Sequence, residues 1–234
     1  MSISEVPNNE HGLARTRLSQ SQEDYLKQIF LLGDGVESVS TRDLSERLEV
    51  RPASVTGMVQ RLAEQGLVSH EPYRGVSLTD EGRRVALEML RHHRLLETFL
   101  QRILGYAWDE VHEEAEKLEH VISERFEARI AEALGHPTRD PHGDPIPDAD
   151  LRMPKTGDAL RIFDLEPGEA AVLSRVRTPD RARLHLLDRI GLLPGVRITL
   201  DEGSVTDGVR IIIDNTQHTL SRDLARELWF LEDA

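Results

Sequence analysis

His93 and Glu97 stand four residues apart, and His112, Glu116, Glu119 and His120 follow in the next stretch of helical periodicity. Carboxylates and imidazoles at such spacings could hold a divalent cation. On a helix turning about 100° per residue, His112, Glu116, Glu119 and His120 fall in one sector of about 100°. The apolar residues Val111, Ala115, Leu118, Ile122 and Phe126 lie immediately beside that sector. Donors at the edge of a buried stripe would point into a seam between packed helices, shielded yet open to loading. His93 and Glu97 share one face of the preceding helix, so two segments can converge on an ion. A plainer reading fits the same residues: an acid-rich helix also sets carboxylates beside histidines that merely face solvent. Catalysis has no foothold. His112-Glu113-Glu114-Ala115-Glu116 misses H-E-x-x-H at its fifth position, and G-x-S-x-G, Walker A, G-x-G-x-x-G and paired Glu-x-x-His motifs are all missing from the sequence.

A second constellation lies upstream. In the helix opened by Pro52, the residues Val55, Met58, Val59 and Leu62 form one apolar stripe. Ala53, Thr56, Gly57, Gln60 and Arg61 occupy the far side. Small and hydrogen-bonding residues on an outward face suit close approach to base edges and phosphates in a major groove. Arg74, at the tip of a following hairpin, would be a phosphate or minor-groove contact. Segment 41–75 holds five arginines against five acids, neutral within a chain of net charge −13. An amphipathic helix with a solvated face is again the plainer alternative.

These residues need particular elements to position them. Apolar periodicity predicts helices over 21–32, 41–48 and 52–65, stopped by Gly33 with Gly35 and by Gly66. Strands over 67–71 and 76–78 flank a turn at Pro72-Tyr73-Arg74-Gly75. Thr79 with Asp80 and Glu81 caps a long helix to about residue 104. A further single helix is expected over 109–134. The Pro/Gly-rich stretch 135–157 reads as a boundary or an ordered linker. Short β-branched runs separated by Pro-Gly turns follow, with one helix over 182–190, which fits a small β-barrel. The 38% hydrophobic content and 234-residue length suit a folded protein of one to three domains. No cysteine is present, which removes disulfides, Fe–S clusters and thiolate zinc sites. No stretch is apolar enough to span a membrane, and residues 1–17 lack the apolar core of a signal peptide, so a cytoplasmic protein with no membrane partner is expected.

Taken together, the two constellations resemble the diphtheria-toxin-repressor family of iron- and manganese-dependent transcriptional regulators. The resemblance is carried by Glu23-Asp24-Tyr25-Leu26, by Leu48-Glu49-Val50-Arg51-Pro52-Ala53-Ser54-Val55-Thr56 and by Tyr73-Arg74-Gly75. It continues through His93-Arg94-Leu95-Leu96-Glu97, Val111-His112-Glu113-Glu114-Ala115-Glu116, Glu119-His120 and Asp144-Pro145-Ile146-Pro147. The tail, through Gly191-Leu192-Leu193-Pro194-Gly195, is similar to the SH3-like (FeoA-type) domain of longer members.

The resemblance implies a mainly α fold with β: a winged helix-turn-helix, a helical dimerisation domain and a small C-terminal SH3-like β-barrel. The corresponding expectations are an N-terminal arm over 1–20, a DNA-binding domain over 21–84, a metal-binding and dimerisation domain over 85–152 and the SH3-like domain over 153–234. It also implies a primary metal set of Asp24, Glu116, Glu119 and His120, and an ancillary set of His93, Glu97 and His112. DNA contacts fall to Arg51, Pro52, Ala53, Ser54, Thr56, Gln60, Arg61 and Arg74. Iron-sensing members have Met and Cys where this chain has Asp24 and Glu116. An oxygen set with imidazole suits Mn²⁺, with Fe²⁺ as the alternative. Lys27 stands where manganese-sensing relatives often have an acid, which argues for separate ions over a coupled binuclear pair; Asp180 is a candidate ligand from the tail. The implied protein is a homodimer that binds palindromic double-stranded operator DNA when metal-loaded and represses metal uptake. Two other classes stay open: a winged-helix regulator gated by a non-metal ligand, and an interaction or metal-storage adapter that binds no DNA.

Overall fold

The computed structural model describes residues 18–33, 36–71, 74–155, 157, 159–178, 180–201 and 208–232. Most of the expected N-terminal arm, Gly35 and the Pro72-Tyr73 half of the hairpin turn lie outside the described residues. The chain divides into two compact units: Met1–Leu90 with Ile122–Arg125, and Arg91–Val121 with Phe126–Ala234.

In the first unit, α1 (Gln20–Leu32) opens on a capping box. The Ser19 side chain accepts from the Gln22 amide, and Gln22 Oε1 accepts from the Ser19 amide at 3.0 Å. Helices α2 (Thr41–Arg47) and α3 (Pro52–Glu64) follow, α3 with proline in its first turn. Strands β1 (Val68–Glu71) and β2 (Gly75–Leu78) pair antiparallel, and Val39 bridges to Val76 as a third line of the sheet. Gly75 must be glycine here: its φ is +98°, and a Cβ would stand 2.6 Å from the Val39 carbonyl oxygen. Leu26, Leu44, Val55, Val59, Leu62 and Val76 form the fully buried centre of this unit. The order helix, helix, helix, hairpin is that of a winged helix-turn-helix.

Helix α4 (Asp80–Arg102) begins in the first unit and ends in the second. Thr79 caps it as expected, its hydroxyl accepting from the Gly82 amide at 3.1 Å and donating to the Gly66 carbonyl at 2.8 Å. The single helix expected over 109–134 is broken. Helix α5 (Val111–Leu118) ends at Glu119, and α6 (Glu124–Ala133) starts after a turn. The Glu119 carbonyl takes His92 Nδ1 as its partner at 3.2 Å. That side chain, 27 residues distant, satisfies an acceptor that would otherwise seek an amide in the next turn. The break turns Phe126 out of the expected buried stripe, leaving it 47% exposed.

The stretch 135–157 contains an ordered loop. Arg139 bridges to Pro145, and the Asp140 amide donates to the Asp144 carbonyl at 3.0 Å. Beyond it, strands β3 (Leu160–Arg161), β4 (Ala170–Val176), β5 (Arg197–Leu200), β6 (Gly208–Ile213), β7 (Thr216–Ser221) and β8 (Leu228–Glu232) form one antiparallel sheet in the order β3-β8-β4-β5-β6-β7. A 3₁₀ turn (Ile162–Asp164), α7 (Arg181–Arg189) and the short α8 (Arg222–Ala225) complete this region. Its core includes Ile162, Leu173, Leu187, Ile211 and Phe230, with Trp108 packed in the same cluster. No helix of the described residues is long and apolar enough to cross a membrane.

Candidate functional site

The second unit gathers the donors. His93 and Glu97 lie on α4, His112 and Glu116 on α5, and Glu119 and His120 at its C-terminal end. His93 Nε2, His112 Nδ1 and Glu97 Oε1 form a triangle with edges of 3.0, 3.0 and 3.1 Å. One carboxylate oxygen and two imidazole nitrogens thus stand within reach of a single divalent ion, a donor set that fits the expected cofactor. His93 Nδ1 lies 2.5 Å from Glu119 Oε2. That contact orients the ring so that Nε2 faces the triangle.

A second group overlaps the first: His93, Glu116 and Glu119 also offer donor atoms within 4.8 Å of one another. His120 Nε2 lies 3.5 Å from the other Glu119 oxygen. Glu119 is fully buried, while the Glu116 side chain is 40% exposed and so lies on the open side. Asp24 belongs to the first unit, half-buried on α1. Lys27, one turn on, is buried. Asp180 is used otherwise: its carboxylate caps α7, accepting from the Ala182 and Arg183 amides.

Two residues that sequence reasoning did not single out join this cluster, Asp140 and His142. Both are buried and grouped with Glu97. The available signal was the density of acids and histidine in Asp140-Pro141-His142-Gly143-Asp144, inside a segment that composition marks only as loop. Burial pushes Glu97 up, but His93 and His142 outweigh it, with hydrogen bonds from His112 and His142, and hold it well below the ordinary carboxylate range. Burial likewise opposes charge on His142, yet Glu97, Asp140 and Asp144 together raise it to about 9. Asp140 is pushed up to about 8, first by burial and then by Glu97 and Asp144, against the pull of His142 and Arg94.

In the first unit, α3 buries Val55, Val59 and Leu62 and leaves Pro52, Ala53, Ser54, Thr56, Gly57, Gln60 and Arg61 exposed. Met58, expected in the buried stripe, is half-buried. Arg51 is the N-cap residue and makes no side-chain capping bond. Nothing lies within 4 Å of where a Gly57 Cβ would be, so this face is open. Arg74 is exposed at the hairpin and pairs with Glu71 at 3.1 Å.

An open recognition-type helix in a winged helix-turn-helix and a carboxylate–imidazole cluster in a helical region define a metal-responsive transcriptional regulator. Residues 17–76 match the N-terminal DNA-binding domain of iron-dependent repressors, 79–148 their metal-binding and dimerisation domain, and 161–230 a FeoA domain. The iron-dependent repressor IdeR of Mycobacterium tuberculosis is 34% identical over 221 residues, 89% of this chain and 95% of that one. The diphtheria toxin repressor of Corynebacterium efficiens is 33% identical over 221 residues, 87% of this chain and 95% of that one. A solved manganese-dependent transcriptional repressor in complex with manganese superposes with a TM-score of 0.83 at 41% identity, covering 90% of this chain and 99% of that one. This chain belongs to the diphtheria-toxin-repressor family of iron- and manganese-dependent repressors. The family is one of transcriptional repressors, not of enzymes.

Proposed function

We infer that this chain is a cytoplasmic, metal-dependent transcriptional repressor that binds palindromic operator DNA as a homodimer, and that its ion is Mn²⁺, with Fe²⁺ as the alternative. The observation that carries the reading is the close triangle of His93, Glu97 and His112 in a protein that also presents an open recognition helix. The donor set contains oxygen and imidazole nitrogen and no thiolate, which suits a hard ion. The manganese-bound relative supports the same choice. A bound divalent ion supplies positive charge that relieves repulsion among the gathered carboxylates. His93, Glu97 and His112 would hold one ion. Glu116, Glu119 and His120, with Asp24 as the resemblance assigns it, would make up the primary set. Ala53, Ser54, Thr56, Gln60 and Arg61 would meet base edges and phosphates, flanked by Arg51 and Pro52 at the helix start and by Arg74 on the wing. The regulated genes would be those of metal uptake.

The test is fluorescence-anisotropy binding to the chain's own upstream DNA and to metal-transporter promoters, at fixed ionic strength, with chelator, with Mn²⁺ and with anaerobic Fe²⁺. Mn²⁺ should tighten a specific complex at least about tenfold, and Glu119→Ala should abolish that gain. A specific complex that forms equally well in chelator would sink the metal-dependent reading.

A further inference from the structure

A cavity of about 470 Å³ lies within the second unit, lined by the end of α4, the loop before β3, strand β4 and the turn before β5. That volume falls in the range of small-molecule sites, roughly 300–1,000 Å³. Backbone hydrogen bonds set one wall. The Gly195 amide donates to the Leu173 carbonyl at 2.7 Å, and the Leu173 amide donates to the Val196 carbonyl at 2.8 Å. They hold the Pro194-Gly195 turn beside β4. Gly195 has a φ of +94°, and no atom lies within 4 Å of where its Cβ would be, so the turn borders open space.

The lining is divided in its chemistry. Val172, Leu193, Pro194 and Leu231 bring hydrocarbon from the sheet region. Trp108 adds an indole whose Nε1 already donates to the Pro141 carbonyl at 2.9 Å, so it contributes only carbon. Two arginines line the same space. Arg102, the last residue of α4, is exposed and has no ion pair or side-chain hydrogen bond among the described residues. Arg139 uses Nη1 on the Gly143 carbonyl at 2.6 Å and has no acidic partner among the described residues. Each guanidinium therefore keeps N–H donors for a further acceptor. The acid of the lining, Asp140, is turned to other groups. Its Oδ1 accepts from the amides of His142 and Asp144, each at 2.9 Å, and its Oδ2 stands 3.6 Å from Arg94. The end of α4 is closed as well, because the carbonyls of Phe99, Leu100 and Gln101 accept from the amides of Ile103, Tyr106 and Gly105.

Hydrocarbon walls and two guanidinium groups without acids suit a ligand with an apolar body and an anionic head, since arginine binds carboxylates through a planar fork. We propose that this cavity binds a small amphipathic carboxylate, with its hydrocarbon against Trp108, Leu193 and Pro194 and its head at Arg102 and Arg139. The site uses none of the residues assigned to metal or DNA. Its walls come from both the helical region and the sheet, so an occupant joins the two.

The experiment is fluorescence titration of the full chain with 8-anilinonaphthalene-1-sulfonate, an aromatic anion, followed by displacement with octanoate or with octylamine. The variants are Arg102→Glu, Arg102→Lys and, as a control at an exposed arginine of α7, Arg189→Glu. The parent should show one saturable dye site per chain that octanoate empties and octylamine does not. Arg102→Glu should weaken octanoate at least about tenfold, Arg102→Lys should keep it within about threefold, and Arg189→Glu should leave it unchanged. Both arginines are exposed, so these variants should keep the parent's thermal midpoint. The proposal is overturned if no saturable site exists, if octanoate fails to displace the dye, or if octylamine displaces it equally well. It is overturned as well if Arg102→Glu weakens octanoate no more than Arg189→Glu does.

Discussion

Glu127 shows how a buried charge in the second unit is made tolerable. Its carboxylate lies 2.6 Å from Arg91 Nε and 2.9 Å from His92 Nε2. Burial pushes it up, but His92 and Arg91 more than offset that and hold it below the ordinary range. A carboxyl lowered in the folded state stabilises the fold fully above its unfolded pKa, about 4.3 for glutamate. That contribution is lost as pH falls through the lower folded value. Removing one partner of a buried ionic set costs about 3 kcal/mol or more, so Glu127→Gln should be destabilised by that order at pH 7. Urea melts as a function of pH should show the gap between parent and variant narrowing below about pH 4.3; a gap constant down to pH 2 would contradict the assignment. His92 also partners the Glu119 carbonyl, so the same residue sustains the break that ends α5.

At the scale of elements, α3 offers a test that separates stability from recognition. Gly57 sits in the helix interior with open space around its missing Cβ. Glycine there costs about 0.8–1.0 kcal/mol relative to alanine. Gly57→Ala should therefore raise the thermal midpoint of the first unit while lowering operator affinity, because the added methyl enters the face assigned to the groove. Unchanged operator binding would mean that α3 does not approach the bases closely at this position. The break between α5 and α6 has a second consequence. Phe126, at 47% exposed, and Val121, at 67%, are turned outward, and Ile103, Leu104 and Tyr106 at the end of α4 are exposed as well. Phe126 is the more exposed of the two aromatic side chains among these on the dimerisation domain, and we place it at the dimer interface as a prediction. Phe126→Arg should shift the chain to monomer in sedimentation velocity and remove operator binding with it.

For the molecule as a whole, metal and operator are linked ligands. Whatever factor Mn²⁺ contributes to operator affinity, operator must return to Mn²⁺ affinity, about 1.4 kcal/mol if the factor is ten. Measuring Mn²⁺ binding with and without a saturating operator duplex should give the same factor as the anisotropy titration. Unequal factors would show that a third equilibrium, such as dimerisation, has been left out. The chain's net charge of −13 works against nonspecific DNA binding. The neutral 41–75 segment should accordingly give a specific complex with a shallow salt dependence.

Much of this was legible in the sequence. The apolar stripe of α3, the Thr79 cap and the β-branched runs in β4, β5 and β6 all depend on residues within a few positions of one another. The pairing of His93 with Glu97 is equally local, because four residues on a helix always share a face. Strands β3 and β7 leave little local signal, since Thr216–Ser221 is largely polar and β3 is two residues long, and the apolar Leu228–Glu232 of β8 does not by itself distinguish strand from helix. The end of α5 was hidden as well, although Ser123 before Glu124 is a helix-start pattern. The sequence by itself therefore determined the helices and hairpin of the first unit, the outward face of α3 and most of the carboxylate–imidazole cluster. Only the tertiary structure decided that α5 stops at Glu119, that His93 serves two carboxylates, and that a proline-rich loop brings His142 to Glu97. Each of those depends on a side chain meeting a group 26 to 45 positions away, where burial and charge, not local periodicity, set which atoms come together.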